Sequence, residues 1–212
     1  MPTDRLCIVG AGGHARVVAD AALAAGIASR DSLCFADDRP GLQGSSLLGA
    51  PVTGEVASIT SGTSFHVAIG AGEVRARLQA ELIARGAIPV TVIHPRAVVS
   101  AHARVGAGSF VAAGAIVGPQ AVVGEGVIVN HNAVVDHDCQ VGSWTHIAPQ
   151  ATLGGAVHVG ECTLIGAGST VLPGKRLGSR LVVGAGAVVV SDVPEGVVIK
   201  GIPARIPGRT ER

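Results

Sequence analysis

An unbroken six-residue repeat in the C-terminal half constrains this chain more than any other feature. From Ile93 to Val189 every sixth residue is aliphatic, seventeen times in succession and without an insertion. An α-helix needs a period of 3.6 residues and a coiled coil one of 3.5, so neither explains the pattern. A six-residue period is typical of a parallel β-helix, in which each short strand turns its aliphatic side chain inward. We therefore predict a β-helix from about Val92 to Val193.

Two other positions of the repeat are also restricted. The position after the aliphatic residue is Gly in nine of the seventeen repeats, and we expect these glycines to supply turns with positive φ. The position four residues after the aliphatic residue is small, except at Lys175 and Leu181. The pattern resembles that of the hexapeptide-repeat proteins, whose coils are left-handed triangular prisms of three hexads. Seventeen hexads would then form nearly six coils.

The N-terminal part has a different pattern, in which strands and helices alternate. The order predicts a small parallel, Rossmann-like sheet that binds ligands at the carboxyl ends of its strands. We predict a ligand-binding domain over residues 1–90, a left-handed β-helix domain over 91–194 and a tail over 195–212. The predicted strands are Leu6–Val9, Leu33–Ala36 and His66–Ile69, and the predicted helices are Ala15–Ala25 and Val74–Arg85.

Composition argues against several classes of protein. The net charge is +1 and no basic run appears, so nothing indicates binding to nucleic acid or to an anionic membrane. No apolar segment reaches the ~18 uncharged residues that a membrane span needs. The four cysteines lack CxxC spacing, which disfavours a disulfide or zinc framework. The N-terminus leads into a strand without a signal peptide, and we expect a reduced cytoplasmic protein.

The repeat departs from itself at two consecutive glycine positions, which hold Asn130 and Asp136. His131 and His137 follow them at equivalent turn positions. An imidazole between two carboxylates is a stronger base and is held in one orientation, so His137, flanked by Asp136 and Asp138, is the predicted catalytic group. The alternative is that these are ordinary solvated turn residues, and for His131 that alternative weighs as much as a functional role.

A metal site is a second alternative. Some hexapeptide prisms, the γ-type carbonic anhydrases, bind zinc through three histidines gathered between subunits, and His131, His137 and His146 could be imagined that way. Their spacings of six and nine residues place them on different corners of a prism, so one subunit would not bring all three together. We predict no metal.

The loop after the first predicted strand is rich in glycine. Gly10-Ala11-Gly12-Gly13-His14 departs from the dinucleotide motif GxGxxG because Ala15 ends it, and the domain is small for a full dinucleotide fold. We predict a single-nucleotide or nucleotide-sugar site in which Gly10, Gly12, Gly13 and the helix N-terminus face the phosphates. His14 would contact phosphate or sugar. Asp37 and Asp38 would bind the ribose or base edge, unless they form an ordinary turn.

Several segments occur in the order found in one bacterial family. The chain resembles the sugar acetyltransferases that N-acetylate nucleotide-linked amino sugars, such as UDP-bacillosamine precursors and GDP-perosamine, a family that includes sialic acid O-acetyltransferases. The resemblance covers almost the whole chain. Members often have Glu where this chain has Asp138. The shared segments are Gly10–His14, Phe35–Asp38, Ile93–Pro95, Val135–Cys139, His146–Pro149 and Gly201–Arg205.

The resemblance implies homotrimers with active sites between neighbouring prisms, acetyl-CoA along the β-helix and the nucleotide on the N-terminal domain. It implies that His137 is the general base and that Asp138 assists it. Asn130 and His146 match positions that line the acetyl site. Gly155 matches a position whose backbone N–H meets the acyl-donor thioester, and it lies one coil of eighteen residues after His137.

We therefore predict an acetyl-CoA-dependent N-acetyltransferase that acts on a nucleotide-activated 4-amino-4,6-dideoxy sugar for surface polysaccharide synthesis. Transfer would be direct, because Cys139 occupies a small inward position and is expected to pack rather than to attack. The alternatives are O-acetylation of a sialic-acid-like sugar, a zinc hydratase of the carbonic anhydrase type and a non-catalytic nucleotide-sugar-binding scaffold. The sequence names neither the nucleotide base nor the subunit in whose site His146 acts.

Overall fold

The computed structural model describes residues 5–207 of the chain. It divides into two compact units, one ending at Pro95 and the other beginning at Arg96. No helix within residues 5–207 is both long and apolar enough to cross a bilayer.

The N-terminal unit is built on one mixed sheet. Its strand order is β3-β4-β2-β1-β5-β6, and all neighbours are parallel except β3 and β4, which form an antiparallel hairpin. The elements are β1 (Leu6–Val9), α1 (Gly13–Ala24), β2 (Leu33–Ala36), β3 (Ser46–Leu47), β4 (Ala50–Gly54), a 3₁₀ turn (Val56–Ser58), β5 (Ser64–Val67), α2 (Gly72–Ala84) and β6 (Ile88–Pro89).

The predicted strands β1 and β2 have the predicted bounds, whereas β5 begins and ends two residues earlier than predicted. It does so because Ser64–Val67 pairs residue for residue with Leu6–Val9, and the end of β1 therefore sets the end of β5. The hairpin β3–β4 and the strand β6 were not predicted, and the hairpin makes the sheet mixed rather than wholly parallel.

The repeat forms a left-handed parallel β-helix, as predicted, with three faces. Each strand pairs in register with the strand eighteen residues later, for example Val134 with Thr152. The seven-strand face contains β7 (Val92–Ile93), β10 (Phe110–Val111), β13 (Ile128–Val129), β16 (His146–Ile147), β19 (Leu164–Ile165), β22 (Val182–Val183) and β24 (Val198–Ile199). The six-strand face contains β8 (Val98–Val99), β11 (Ile116–Val117), β14 (Val134–Val135), β17 (Thr152–Leu153), β20 (Thr170–Val171) and β23 (Val188–Val189). The five-strand face contains β9 (Arg104–Val105), β12 (Val122–Val123), β15 (Gln140–Val141), β18 (His158–Val159) and β21 (Arg176–Leu177).

The aliphatic position of the repeat forms the core of the prism. Every such residue from Val111 to Val189 is buried. Because side chains alternate along a strand, the residue before each aliphatic one points away from the core. The two-residue strands thus account for the six-residue period.

We expected the glycines that follow the aliphatic position to supply turns with positive φ, and this expectation was wrong. The left-handed backbone lies two residues after that position, for example at Asn132 (φ 54°) and Asp138 (φ 58°). The glycine position is instead crowded by the next coil. A Cβ on Gly118 would lie 2.7 Å from the backbone nitrogen of His137, and one on Gly124 would lie 2.7 Å from that of Ser143. Close stacking of the coils therefore selects glycine there.

Candidate active site

His137 lies in the turn between β14 and β15, and its ring is oriented by its neighbour. The ring Nδ1 donates a hydrogen bond to Oδ2 of Asp138 over 2.8 Å. A carboxylate only accepts, so the neutral ring carries its proton on Nδ1 and exposes the lone pair of Nε2. Within residues 5–207, Nε2 has no hydrogen-bond partner.

The two aspartates hold different parts of His137. Asp138 adopts a left-handed conformation with φ 58°, and its own N–H donates to the carbonyl of Pro119 on the preceding coil over 3.1 Å. Asp136 Oδ1 accepts the backbone N–H of His137 over 2.7 Å. Asp136 thus fixes the main chain of the turn, while Asp138 fixes the ring.

The electrostatics of this turn favour a base. The hydrogen bond to Asp138, followed by the negative charge of Asp136, raises the pKa of His137 above its ordinary value. The His137 side chain remains 55% exposed, so solvent or a substrate can reach it. The turn therefore presents an accessible imidazole of increased basicity.

Gly155 lies directly against the His137 ring on the next coil. The N–H of Ala156 donates to the carbonyl of His137 over 2.8 Å, which stacks the two turns. A Cβ on Gly155 would come within 2.5 Å of His137 Cε1, so a side chain there would displace the ring. The N–H of Gly155 donates to no acceptor in the described part of the chain. A lone-pair acceptor and a hydrogen-bond donor therefore lie side by side.

Asn130 and His146 form a separate pair. Asn130 lies in the turn between β13 and β14, at the opposite edge of the six-strand face from His137. Its Oδ1 accepts the N–H of His131 over 2.9 Å, and its Nδ2 donates to Nε2 of His146 over 3.1 Å. A single chain brings these residues to two corners of the prism rather than to one site.

Two other chemistries find little support in the described residues. No group of three or more His, Cys, Asp and Glu side chains within residues 5–207 is placed to hold a metal ion. Cys139 is buried, donates its thiol to the carbonyl of Gly154 over 3.2 Å, and has a pKa that burial raises. The thiol is therefore a neutral packing group.

The N-terminal unit contains a cavity of about 620 Å³ at the carboxyl ends of β1, β2 and β5. The predicted nucleotide-binding residues Gly10, Gly12, Gly13, His14, Asp37 and Asp38 all line this cavity. Arg39 and Arg77 line it as well, and neither was singled out from the sequence. The only signal for Arg39 was its place directly after two acidic residues.

Both carboxylate oxygens of Asp37 already accept hydrogen bonds from groups of the protein. Its Oδ2 accepts the N–H of Ala11 over 2.7 Å and Nη2 of Arg39 over 2.8 Å. Its Oδ1 accepts both the backbone N–H and Nε of Arg39 over 2.9 Å. The Arg39 hydrogen bond lowers the pKa of Asp37 to about 2. Asp38 accepts the N–H of Val56 over 2.8 Å through Oδ1. The predicted contacts of both acids with ribose or base remain predictions.

Comparison with known proteins finds relatives of both units. Residues 5–82 match the family model of the PglD N-terminal domain, and residues 87–188 match that of the GMPPB C-terminal domain. The chain is similar to the acetyltransferase domain of PglB from Neisseria gonorrhoeae FA1090, with a TM-score of 0.91 and 39% identity over 96% of this chain and 100% of that one. The PglB domain is also known in complex with acetyl coenzyme A.

Two further relatives differ in how much of each chain they share with this one. A mutant of perosamine N-acetyltransferase from Caulobacter crescentus, in complex with CoA and GDP-perosamine, has a TM-score of 0.89 and 37% identity over 97% of each chain. The 2,3,4,5-tetrahydropyridine-2,6-dicarboxylate N-acetyltransferase of Staphylococcus aureus is 36% identical over 73 residues, which are 31% of this chain and 30% of that protein. The chain thus covers only 30% of the length of such curated relatives.

Proposed function

Because this chain belongs to the hexapeptide-type sugar acetyltransferase family, we propose that it transfers the acetyl group of acetyl-CoA to the 4-amino group of a nucleotide-linked 4-amino-4,6-dideoxy sugar. The observation that carries the proposal is the exposed Nε2 of His137 beside the unused N–H of Gly155. Acetyl transfer to an amine needs a base for the amine proton and a donor for the developing oxyanion, and this corner offers both.

The reaction balances with these groups. The neutral amine attacks the thioester carbonyl, and Nε2 of His137 accepts the proton that the nitrogen loses. The N–H of Gly155 donates to the oxyanion of the tetrahedral intermediate. When the C–S bond breaks, the imidazolium returns a proton to the leaving thiolate of CoA. Asp138 stabilises the imidazolium between the two steps, and no acyl-enzyme forms.

A second copy of the chain would complete this site. The six-strand face separates His137 from Asn130 and His146, and its outward row contains no charged residue. Val98 and Ile116 in this row are 64% and 40% exposed. If three copies cover this face around a threefold axis, the His137 corner of one meets the Asn130–His146 corner of the next. The outward row is Val98, Ile116, Val134, Thr152, Thr170 and Val188.

The five-strand face provides a contrast to that uncharged row. Its outward side chains are mostly polar and line part of a groove of about 720 Å³. A face of this composition is compatible with solvent, so of these two faces the six-strand face is the better subunit interface. The outward row here is Arg104, Val122, Gln140, His158 and Arg176.

A thiol-release assay tests the activity. The purified chain is mixed with acetyl-CoA and UDP-, GDP- or dTDP-linked 4-amino-4,6-dideoxy sugars, with the matched 4-hydroxy sugars as controls. We expect CoA release with an amino sugar and none with its 4-hydroxy counterpart. Release with hydroxyl acceptors alone, including a sialic-acid-like sugar, would establish O-acetylation. Stoichiometric zinc and carbon dioxide hydration, without CoA release, would establish the hydratase.

Complementation tests the shared site. His137→Ala and His146→Ala chains are each assayed alone and after coexpression. If the two histidines act in one site from different subunits, random mixed trimers regain about one quarter of the wild-type activity. If the mixed oligomers regain none while each variant remains trimeric by light scattering, His146 does not act in a neighbour's site.

A further inference from the structure

The carboxylate of Asp37 leaves little room for a ligand. Each of its oxygens already accepts two hydrogen bonds, and its side chain is only 9% exposed. The acid that follows the second strand of a nucleotide-binding unit commonly accepts a hydroxyl of the ribose. Here the Arg39 guanidinium, which is 60% exposed and lines the cavity, covers that carboxylate.

Asp37 also determines which edge of Arg39 is available. A guanidinium has five N–H donors in one plane. The Nε hydrogen and one hydrogen of Nη2 point to Asp37. The second hydrogen of Nη2 and both hydrogens of Nη1 remain available to donate to a ligand. Nη1 and Nη2 together form an outward fork of parallel donors. Because Asp37 is held by the N–H of Ala11, the fork is fixed relative to the glycine-rich loop.

We propose that Arg39 selects guanine as the base of the nucleotide sugar, with the outward fork donating to O6 and N7 of the purine. The inference rests on the proposed nucleotide-sugar substrate. Guanine presents these two acceptors side by side, and arginine binds them in a bidentate manner. Uracil and thymine place the N3–H donor between two carbonyl acceptors, so a fork of two donors meets one acceptor and one donor. Asp37 is then a positioning residue.

The diphosphate has other donors in the same cavity. Gly12 and Gly13 lie at the N-terminus of α1, where free N–H groups and the helix dipole favour an anion. Arg39 follows β2, on the side where a nucleoside binds in parallel α/β sheets. In this arrangement Arg39 binds the base, and the glycine-rich loop binds the phosphates.

Binding of GDP, UDP and dTDP to the full chain tests the assignment by calorimetry. We expect the wild type to bind GDP about 10- to 100-fold more tightly than UDP or dTDP, the size of effect that one bidentate pair supplies. Arg39→Lys retains the charge but lacks the planar fork, so it should abolish this preference and leave UDP binding within about threefold. Asp37→Asn should reduce the same GDP-to-UDP ratio, a readout that a general loss of stability would not move.

Arg77→Ala is the matched control, because Arg77 lines the same cavity and is 63% exposed. Its removal should weaken all three nucleotides by a similar factor. The assignment is overturned if Arg39→Lys weakens the three nucleotides equally, which would indicate a phosphate contact, or if the wild type prefers UDP or dTDP. Failure of every nucleotide to bind the wild type would overturn the nucleotide-sugar substrate as well.

Discussion

Two histidines of this chain make almost the same hydrogen bond and have opposite properties. His137 donates through Nδ1 to a carboxylate over 2.8 Å, and the Nδ1 of His66 lies 2.9 Å from the backbone carbonyl of Val90. The carboxylate raises the pKa of the exposed His137. Burial lowers the pKa of His66 from its ordinary 6.5 to about 4. The charge of the acceptor and the access of water therefore decide whether an imidazole is a base or a core residue.

The largest expected effect is on the base itself. His137→Ala should reduce kcat by about 10²- to 10⁴-fold, the usual contribution of a general base, without loss of folding. Steady-state thiol release and a thermal melt measure the two quantities. His102→Ala is the control, since His102 is an exposed histidine of the same prism and should be dispensable. If His137→Ala retains the wild-type kcat, His137 is not the general base.

Gly155→Ala tests the position of the ring. The added methyl group would displace His137, and a misplacement of about 1 Å can cost about 10²-fold in rate. Gly196→Ala is a useful comparison, because its Cβ meets nothing within 4 Å but its backbone has φ 71°. That variant should lose about 1 kcal/mol of stability and retain activity. The assignment fails if the two variants behave alike.

Asp138→Asn tests the charge beside the ring. Without the carboxylate the pKa of His137 falls, so the neutral base persists to lower pH, and the ascending limb of the kcat/KM profile should move to lower pH. The plateau should fall by about tenfold because a base of lower pKa accepts a proton less readily. Asp138→Glu restores the carboxylate and should restore the profile. An unmoved limb in Asp138→Asn would show that this carboxylate does not set the pKa.

The smallest effect on catalysis is expected at His66, where the change should appear in stability. As pH falls from about 6.5 to about 4, the unfolded chain binds a proton that the folded chain excludes. The free energy of unfolding should therefore be greatest above this window and decrease by about 3 kcal/mol across it. His66→Asn should remove this dependence while keeping a donor for Val90. Denaturant unfolding at several pH values measures it. A wild-type curve that stays flat from pH 6.5 to 4 would show that His66 is not held neutral by burial.

The sequence predicted much of the fold because its signals were local. The aliphatic residue of each hexad faces the core, and the strands β1 and β2 are continuous apolar runs, so both could be identified without knowledge of their partners. The hairpin β3–β4 was not predicted, because strands of two and five residues in a glycine-rich segment have no measurable period. The end of β5 was predicted wrongly, because its pairing with β1 determines where the strand ends.

The sequence located the candidate site through two exceptions to the repeat, since Asn130 and Asp136 occupy the position at which close stacking of the coils otherwise favours glycine. The sequence by itself thus determined the β-helix and pointed to His137. Only the tertiary structure decided that a side chain at Gly155 would displace the His137 ring, that His146 hydrogen-bonds to Asn130, and that Arg39 covers Asp37. A repeated side-chain pattern is set by each residue's own environment. A hydrogen bond such as that from Ala11 to Asp37, which spans 26 residues, exists only after the sheet has brought its strands together.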